Sequence, residues 1–308
     1  MLPLLALLAG LVCAGLGGEL FVQSSMGLAT RARISPAIVG ATLAAFATSS
    51  PELAVSVSAA WAQQPQIALG DALGSNVVNV ALILGLALFI SGIQASRGSL
   101  QRNLPLALAV PALTALLFLD GRLSRFEGGL LLGLFGVWLL ATVRAARRQR
   151  GLDAPVRGAP SWCGIVAGGV LGLALLVGAG QLIVFGARAI ALSWGLSEFA
   201  IGTTVVAMGT SMPELATALV AKLRGHDEVG LGAIVGSNLF NGLFIVGVAA
   251  LIHPISVPLS ELLSSLLFGV LALILVLPNR RGWIARGRGP LLLLLFATYL
   301  AAMLQRGG

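Results

Sequence analysis

Two stretches of this chain repeat each other at a constant offset of 162 residues, and both lie within long apolar runs. Thr48-Ser49-Ser50-Pro51-Glu52 returns as Thr210-Ser211-Met212-Pro213-Glu214. Gly74-Ser75-Asn76 with Asn79 returns as Gly236-Ser237-Asn238 with Asn241. Ile38–Gly85 aligns on Ala200–Gly247 without a gap, and 18 of the 48 positions are identical. A duplicated block of this kind restricts the chain to architectures made of two equivalent halves. Each copy also places a carboxylate beside a proline in an apolar stretch, where an ionisable group is costly and marks a functional site by default.

The solvent of these runs is lipid. The chain is 57% hydrophobic and only 10% charged, with mean hydropathy +0.99, whereas a soluble domain carries about 25% charged residues. Apolar runs of about 20 residues, enough to cross a hydrocarbon core ~30 Å thick, recur along the whole length. The expectation is an all-α polytopic membrane protein, since a helix satisfies its own backbone in lipid. Ten spans are predicted: Leu2–Phe21, Ser35–Ala62, Ile67–Ser91, Leu104–Leu119, Phe126–Thr142, Trp162–Phe185, Glu198–Leu223, Val229–Ile252, Val257–Leu277 and Trp283–Met303. No basic segment precedes the first run, so a cleaved signal peptide is not expected.

The net charge of +8 is distributed by side rather than by patch, which argues against a nucleic-acid partner. With ten spans, the loops after the odd-numbered ones, together with the span ends that adjoin them, hold fifteen of the 19 Lys and Arg, including the Arg144–Arg150 run. Only Arg122, Arg125, Arg188 and Arg306 fall on the other side. The positive-inside rule then puts the basic side in the cytoplasm and both termini outside. Cys13 and Cys163 have no metal-ligand neighbours in sequence and read as two packed thiols.

The offset divides the chain into residues 1–150 and 151–308, five spans each, joined through the basic Arg144–Pro160 stretch. An odd number of spans per half inverts the second half relative to the first, and ten transmembrane helices in two inverted five-helix repeats is a transporter plan. A duplication kept for packing alone accounts for the shared glycines. It accounts less well for shared Glu, Asn, Ser and Thr, so the transport site is expected where the repeats meet.

The motif residues suit a hard cation. Proline lacks an N–H and clashes with the carbonyl four residues back, here Ala47 for Pro51 and Gly209 for Pro213. Carbonyls near such a break are released from the helix ladder, and Pro suits the first turn of a new half-helix. Glu52 and Glu214 then sit at its positive end. Thr48 with Glu52, and Thr210 with Glu214, are spaced to share a face where helical geometry holds. Gly74 and Gly236, with Gly70 and Gly232 one turn earlier, are expected to let a neighbouring helix approach closely. Ser75 with Asn79 and Ser237 with Asn241 would lie on that face, either bonding between helices or presenting neutral oxygens. Two carboxylates, two Asn carbonyls, Ser and Thr hydroxyls and released carbonyls form an all-oxygen set without His or Cys. Calcium takes 6–8 such oxygens, while Mg²⁺ dehydrates reluctantly and zinc or copper would recruit His or Cys. Two glutamates neutralise one Ca²⁺, and monovalent cations or protons can compete for the same oxygens.

The paired motifs resemble the alpha repeats of the calcium/cation antiporter superfamily, in particular its prokaryotic sodium/calcium exchanger branch, and the likeness covers almost the whole chain. The resemblance implies a secondary antiporter exchanging Ca²⁺ for Na⁺ across the cytoplasmic (inner) membrane by alternating access. It implies that Glu52 and Glu214 bind Ca²⁺ with the backbone carbonyls of Thr48 and Thr210. Sodium sites would draw on the carbonyls of Ala45 and Ala207 and on Ser49, Ser75, Ser211 and Ser237, with Asn79 and Asn241 lining the centre. Exchangers of this type often carry Asp at one of these last two positions, and this chain has Asn at both. Two central glutamates also serve branches of the superfamily that exchange H⁺ for Ca²⁺, so Na⁺ and H⁺ stand as alternative coupling ions. The transported ions and the bilayer are the expected partners, with no further cofactor. The short loop between the halves has no room for the regulatory calcium-binding domain of eukaryotic relatives.

Two other classes fit less well. An intramembrane enzyme using Ser49 or Ser211 lacks a His or Lys base, and a channel more naturally uses a ring across subunits. Asp71, whose counterpart is Ala233, reads as an access-path carboxylate or a satisfied interfacial one. Glu19, opposite Gln181, reads as interfacial or packing, and His226 and His253 as solvated loop residues.

Overall fold

A computed structural model describes residues 2–63, 65–95, 97–149, 161–193, 207–257 and 259–307. Arg150 and Arg157 of the linker, and the start of the expected Glu198–Leu223 span, lie outside the described residues.

The chain is mostly helical. In the first half come α1 (Leu2–Ala32), α2 (Pro36–Thr48), α3 (Ser50–Trp61), α4 (Pro65–Ile90), α5 (Arg97–Leu117) and α6 (Arg125–Gln149). In the second come α7 (Trp162–Ser193), α8 (Ala207–Thr210), α9 (Met212–Leu223), α10 (Asp227–Ile252), α11 (Leu259–Leu275) and α12 (Arg288–Gly307). Among the described residues five helices are long and apolar enough to cross a membrane, in α1, α4, α6, α7 and α10. The pair α2 and α3, bent by 45°, makes a sixth if taken as one span. Three of the remaining expected spans fall on shorter apolar helices, Asn103–Leu117, Leu262–Leu275 and Arg288–Met303.

Hydropathy misplaced several ends. Helix α1 runs on to Ala32, so Arg31 belongs to the helix and not to a loop; its guanidinium lies 5.3 Å from the centre of the Trp162 ring, a cation–π contact. Trp283, expected to open the last span, instead belongs to a strand. Beside the helices stand four two-residue strands that hydropathy does not predict, β1 (Ile93–Gln94), β2 (Arg122–Leu123), β3 (Ile255–Ser256) and β4 (Trp283–Ile284). They satisfy backbone groups at helix junctions, which every buried peptide must do somehow. β1 pairs antiparallel with β4, Ile93 opposite Ile284, and β2 pairs antiparallel with β3, Leu123 opposite Ile255. β1 corresponds to β3 at the 162-residue offset, and β2 to β4 at an offset of 161. Each ladder is therefore the image of the other, and both tie one half to the other.

The two motif helices are the centre of the molecule. In α4 and α10, 78% and 83% of the apolar window is buried, against 22% in α6 and in α7. Small residues make this possible. A Cβ on Gly236 would lie 2.4 Å from the Ala41 carbonyl oxygen, and one on Gly232 would lie 2.7 Å from that of Ala37, so α10 meets the backbone of α2 directly. Gly70, their expected analogue, has nothing within 4 Å of such a Cβ and sits on the exposed side of α4. Peripherally, α1 packs along α7, where Gly17 and Gly172 each approach the other's carbonyl. Glu19 joins α1 to Arg224 beyond α9 by an ion pair of 2.7 Å. Cys13 is half-buried, but Cys163 near the start of α7 is exposed, which corrects the expectation of two packed thiols.

Candidate functional site

Both proline motifs break the helix in the same way. Ser49 (φ −85°, ψ 13°) separates α2 from α3, and Ser211 (φ −83°, ψ 8°) separates α8 from α9. Pro51 and Pro213 occupy the first turns of the new helices, and Glu52 and Glu214 follow in the same turns. There the partial positive charge of unpaired N–H groups favours a carboxylate. The released carbonyls are less free than expected. Ala47 accepts from the Ser50 hydroxyl at 2.8 Å; Met212, without a hydroxyl, replaces Ser50 in the second copy. The Ala45 carbonyl accepts the Ser49 N–H at 3.0 Å and the Thr48 hydroxyl at 3.4 Å. The Ala207 carbonyl accepts the Ser211 N–H at 3.2 Å and the Thr210 hydroxyl at 3.0 Å.

The carboxylates are bonded across the halves. Ser49 Oγ donates to Glu214 Oε1 at 2.8 Å, and Ser211 Oγ donates to Glu52 Oε1 at 3.2 Å. Each serine lies three residues before its own glutamate and serves the other one. The expected Thr48–Glu52 pairing along one helix face is replaced by this exchange, because the break at Ser49 interrupts the helix between them; Thr48 donates to the Ala44 carbonyl instead, at 3.0 Å. Ser237 Oγ adds a second donor to Glu214 Oε1, at 3.2 Å.

The Gly-Ser-Asn motifs bond to one another. Asn79 and Asn241 each lie in a π-helical segment, Val78–Leu84 and Phe240–Ile245; such wide turns concentrate at functional sites. Asn79 Nδ2 donates to Asn238 Oδ1 at 3.1 Å, and Asn76 and Asn238 donate to one another's backbone carbonyls at 3.4 and 3.2 Å. Asn76 and Asn238 are orienting residues that motif spacing alone did not single out as part of the site. Asp71 lies beside it: Thr210 Oγ1 is 3.3 Å from Asp71 Oδ1, so it is a buried group bordering the site and not an interfacial one. The signal available in sequence was its position one turn before Ser75.

Glu52, Glu214, Asn79, Asn241, Ser75 and Ser237 are fully buried. Within this set Glu52 Oε2, Glu214 Oε2, Asn79 Oδ1, Asn241 Oδ1 and Ser75 Oγ have no hydrogen-bond partner. An orphaned buried polar atom costs about 1–3 kcal/mol, and its presence in a native fold asks for a cause. Five such oxygens, one on each of the two duplicated carboxylates among them, form a donor set for a hard cation. Among the described residues no three of His, Cys, Asp and Glu gather into one group, so the donor set depends on amide and hydroxyl oxygens as well.

Comparison with known proteins agrees with this geometry. The family described as "Sodium/calcium exchanger protein" matches residues 2–144 and again residues 164–305, once for each half. The inner membrane protein YrbG of Escherichia coli is 37% identical over 257 residues, 80% of this chain and 79% of its own. The sodium/calcium exchanger MaX1 of Methanosarcina acetivorans is 29% identical over 97% of each. The solved sodium-calcium exchanger NCX_Mj superposes with a TM-score of 0.85 over 98% of both chains, at 31% identity. Matched over both halves, the chain belongs to the sodium/calcium exchanger family: it is a membrane-embedded cation antiporter and not an enzyme.

Proposed function

We propose that this protein exchanges Ca²⁺ for Na⁺ across the cytoplasmic membrane by alternating access. The observation that carries the reading is the reciprocal bonding of Ser49 to Glu214 and Ser211 to Glu52, with the outer carboxylate oxygens left unpartnered. One Ca²⁺ balances the two glutamates, and Thr48 and Thr210 contribute backbone carbonyls. Na⁺ is held by Ser49, Ser75, Ser211 and Ser237 with the second lone pairs of the Ala45 and Ala207 carbonyls; Asn79 and Asn241 complete the centre. The functional names of MaX1 and NCX_Mj support the choice of ions. Residues 1–150 and 151–308 form two inverted repeats of five spans, with both termini outside. The two-fold relation of the ladders and of the serine–glutamate bonds supports that plan. The transported cations and the bilayer are the only partners the reading requires, without a bound cofactor or a regulatory domain.

Hydroxyl and carbonyl oxygens bind Na⁺ without exchanging a proton, whereas H⁺ coupling must run through titratable carboxylates. The test is Ca²⁺ uptake by proteoliposomes loaded with Na⁺, at equal pH on both sides and with a protonophore present. Uptake driven by the outward Na⁺ gradient is expected. Uptake that ignores Na⁺ and follows only a pH gradient would replace Na⁺ by H⁺ in the scheme.

A further inference from the structure

The reading above uses two carboxylates, and among the described residues three are buried. Asp71 lies in the first turns of α4 and is 7% exposed. One of its oxygens is 3.3 Å from the Thr210 hydroxyl, which belongs to the motif of the other half. The second oxygen, Oδ2, is buried without a partner. Among the described residues no lysine, arginine or histidine is paired with it; the recorded ion pairs Lys222–Asp227 and Arg224–Glu19 involve other acids. Glu52 and Glu214 lie within electrostatic reach of Asp71, yet the three acids do not gather into one group. At the equivalent place in the second half stands Ala233, so Asp71 is not a remnant of the duplication.

Charge balance decides what such a group can hold. A divalent ion neutralises Glu52 and Glu214 and leaves Asp71 with one uncompensated charge. A buried carboxylate keeps its charge only when paired. A second divalent ion at Asp71 would overshoot by one charge, while a single monovalent cation closes the balance. Thr210 supplies a hydroxyl oxygen beside it, and oxygen is the donor that hard cations select. We propose that Asp71 and Thr210 form a separate subsite for one alkali-metal cation, displaced from the Glu52–Glu214 pair and present in one half only. The subsite rests on the antiporter reading and adds to it an asymmetric position for a coupling ion.

The test uses the full chain in detergent and in proteoliposomes, with ⁴⁵Ca²⁺ as probe and Na⁺ as competitor. For Asp71→Asn, the Na⁺ concentration that half-displaces ⁴⁵Ca²⁺ should rise at least about tenfold, corresponding to the 1.4 kcal/mol that separates decades in affinity. The Ca²⁺ concentration for half-saturation should rise by a much smaller factor, and the Na⁺ competition curve should become less steep. Asp71→Glu, which keeps the charge, should recover part of the Na⁺ sensitivity, a result that a purely structural role would not produce. Equal losses of Na⁺ and Ca²⁺ affinity in Asp71→Asn would overturn the subsite, as would unaltered Na⁺ competition. A pH dependence of ⁴⁵Ca²⁺ uptake that Asp71→Asn abolishes, with Na⁺ competition unaltered, would overturn it in favour of a proton. A wild-type protein that takes up no ⁴⁵Ca²⁺ under any gradient would instead sink the antiporter reading, and the subsite with it.

Discussion

At the scale of single residues, the site is governed by how few groups compensate each carboxylate. Glu214 receives hydrogen bonds from both Ser49 and Ser237, whereas Ser211 is the side-chain donor recorded for Glu52. Replacing Glu52 or Glu214 by Gln leaves one buried carboxylate against a divalent ion, and calcium transport should fall by about two orders of magnitude or more, since an unbalanced buried charge costs several kcal/mol. Near-normal ⁴⁵Ca²⁺ uptake by Glu52→Gln proteoliposomes would place the site elsewhere. Removing a hydrogen bond to a charged group costs about 1.5–3 kcal/mol. Ser211→Ala should therefore weaken apparent Ca²⁺ affinity by about tenfold, and Ser49→Ala by less, because Ser237 still holds Glu214. Half-saturation constants from uptake titrations compare the two directly.

At the scale of elements, the site depends on two helices that meet backbone to backbone. The contact of α10 with α2 at Gly236 leaves no room for a methyl group, which would fall 2.4 Å from the Ala41 carbonyl oxygen. Gly236→Ala should destabilise the fold by about 1–3 kcal/mol, the usual range for overpacking, and lower its thermal midpoint in detergent. Gly70→Ala, one turn before Gly74 on α4 and open on all sides, should leave the midpoint unchanged or raise it, because Ala is the better helix former by about 1 kcal/mol. Equal midpoints for Gly236→Ala and the unmodified protein would show that α10 can shift away from α2 without penalty. The π-helical turns belong to the same scale. They give Asn79 and Asn241 a phase that no regular 3.6-residue repeat predicts, which is why the shared face expected for Ser75 and Asn79 was only an approximation.

At the scale of the whole molecule, the two-fold relation organises everything else. Both ladders, both serine–glutamate bonds and the paired Asn76 and Asn238 contacts join one half to the other. Neither half can complete a carboxylate site alone. The asymmetry of Lys and Arg predicts both termini outside and the linker inside. A single cysteine at Arg150, in a background lacking Cys13 and Cys163, should react with a membrane-impermeant maleimide only after the cells are opened. Labelling of intact cells would reverse the orientation.

The duplication, the apolar runs and the oxygen-only donor set were readable from the order of residues alone, because each depends on local composition and constant spacing. Helix breaks at Ser49 and Ser211 followed from Pro51 and Pro213, since proline acts on its own backbone. What a carboxylate bonds to is a different matter. Spacing four apart put Thr48 and Glu52 on a common face wherever helical geometry holds, but the donor to Glu52 is Ser211, 159 residues away, and only the packing of the two halves could select it. The same holds for Asp71, whose partner Thr210 lies in the other motif, and for Asn238, which turns Asn79 toward the centre. Strands β1 to β4 were invisible for the same reason: a two-residue segment has no periodicity, and its partner is set by where distant helices end. Sequence determined which chemical groups occur and that they occur twice; the tertiary structure decided which group faces which, because those contacts join residues that no local rule connects.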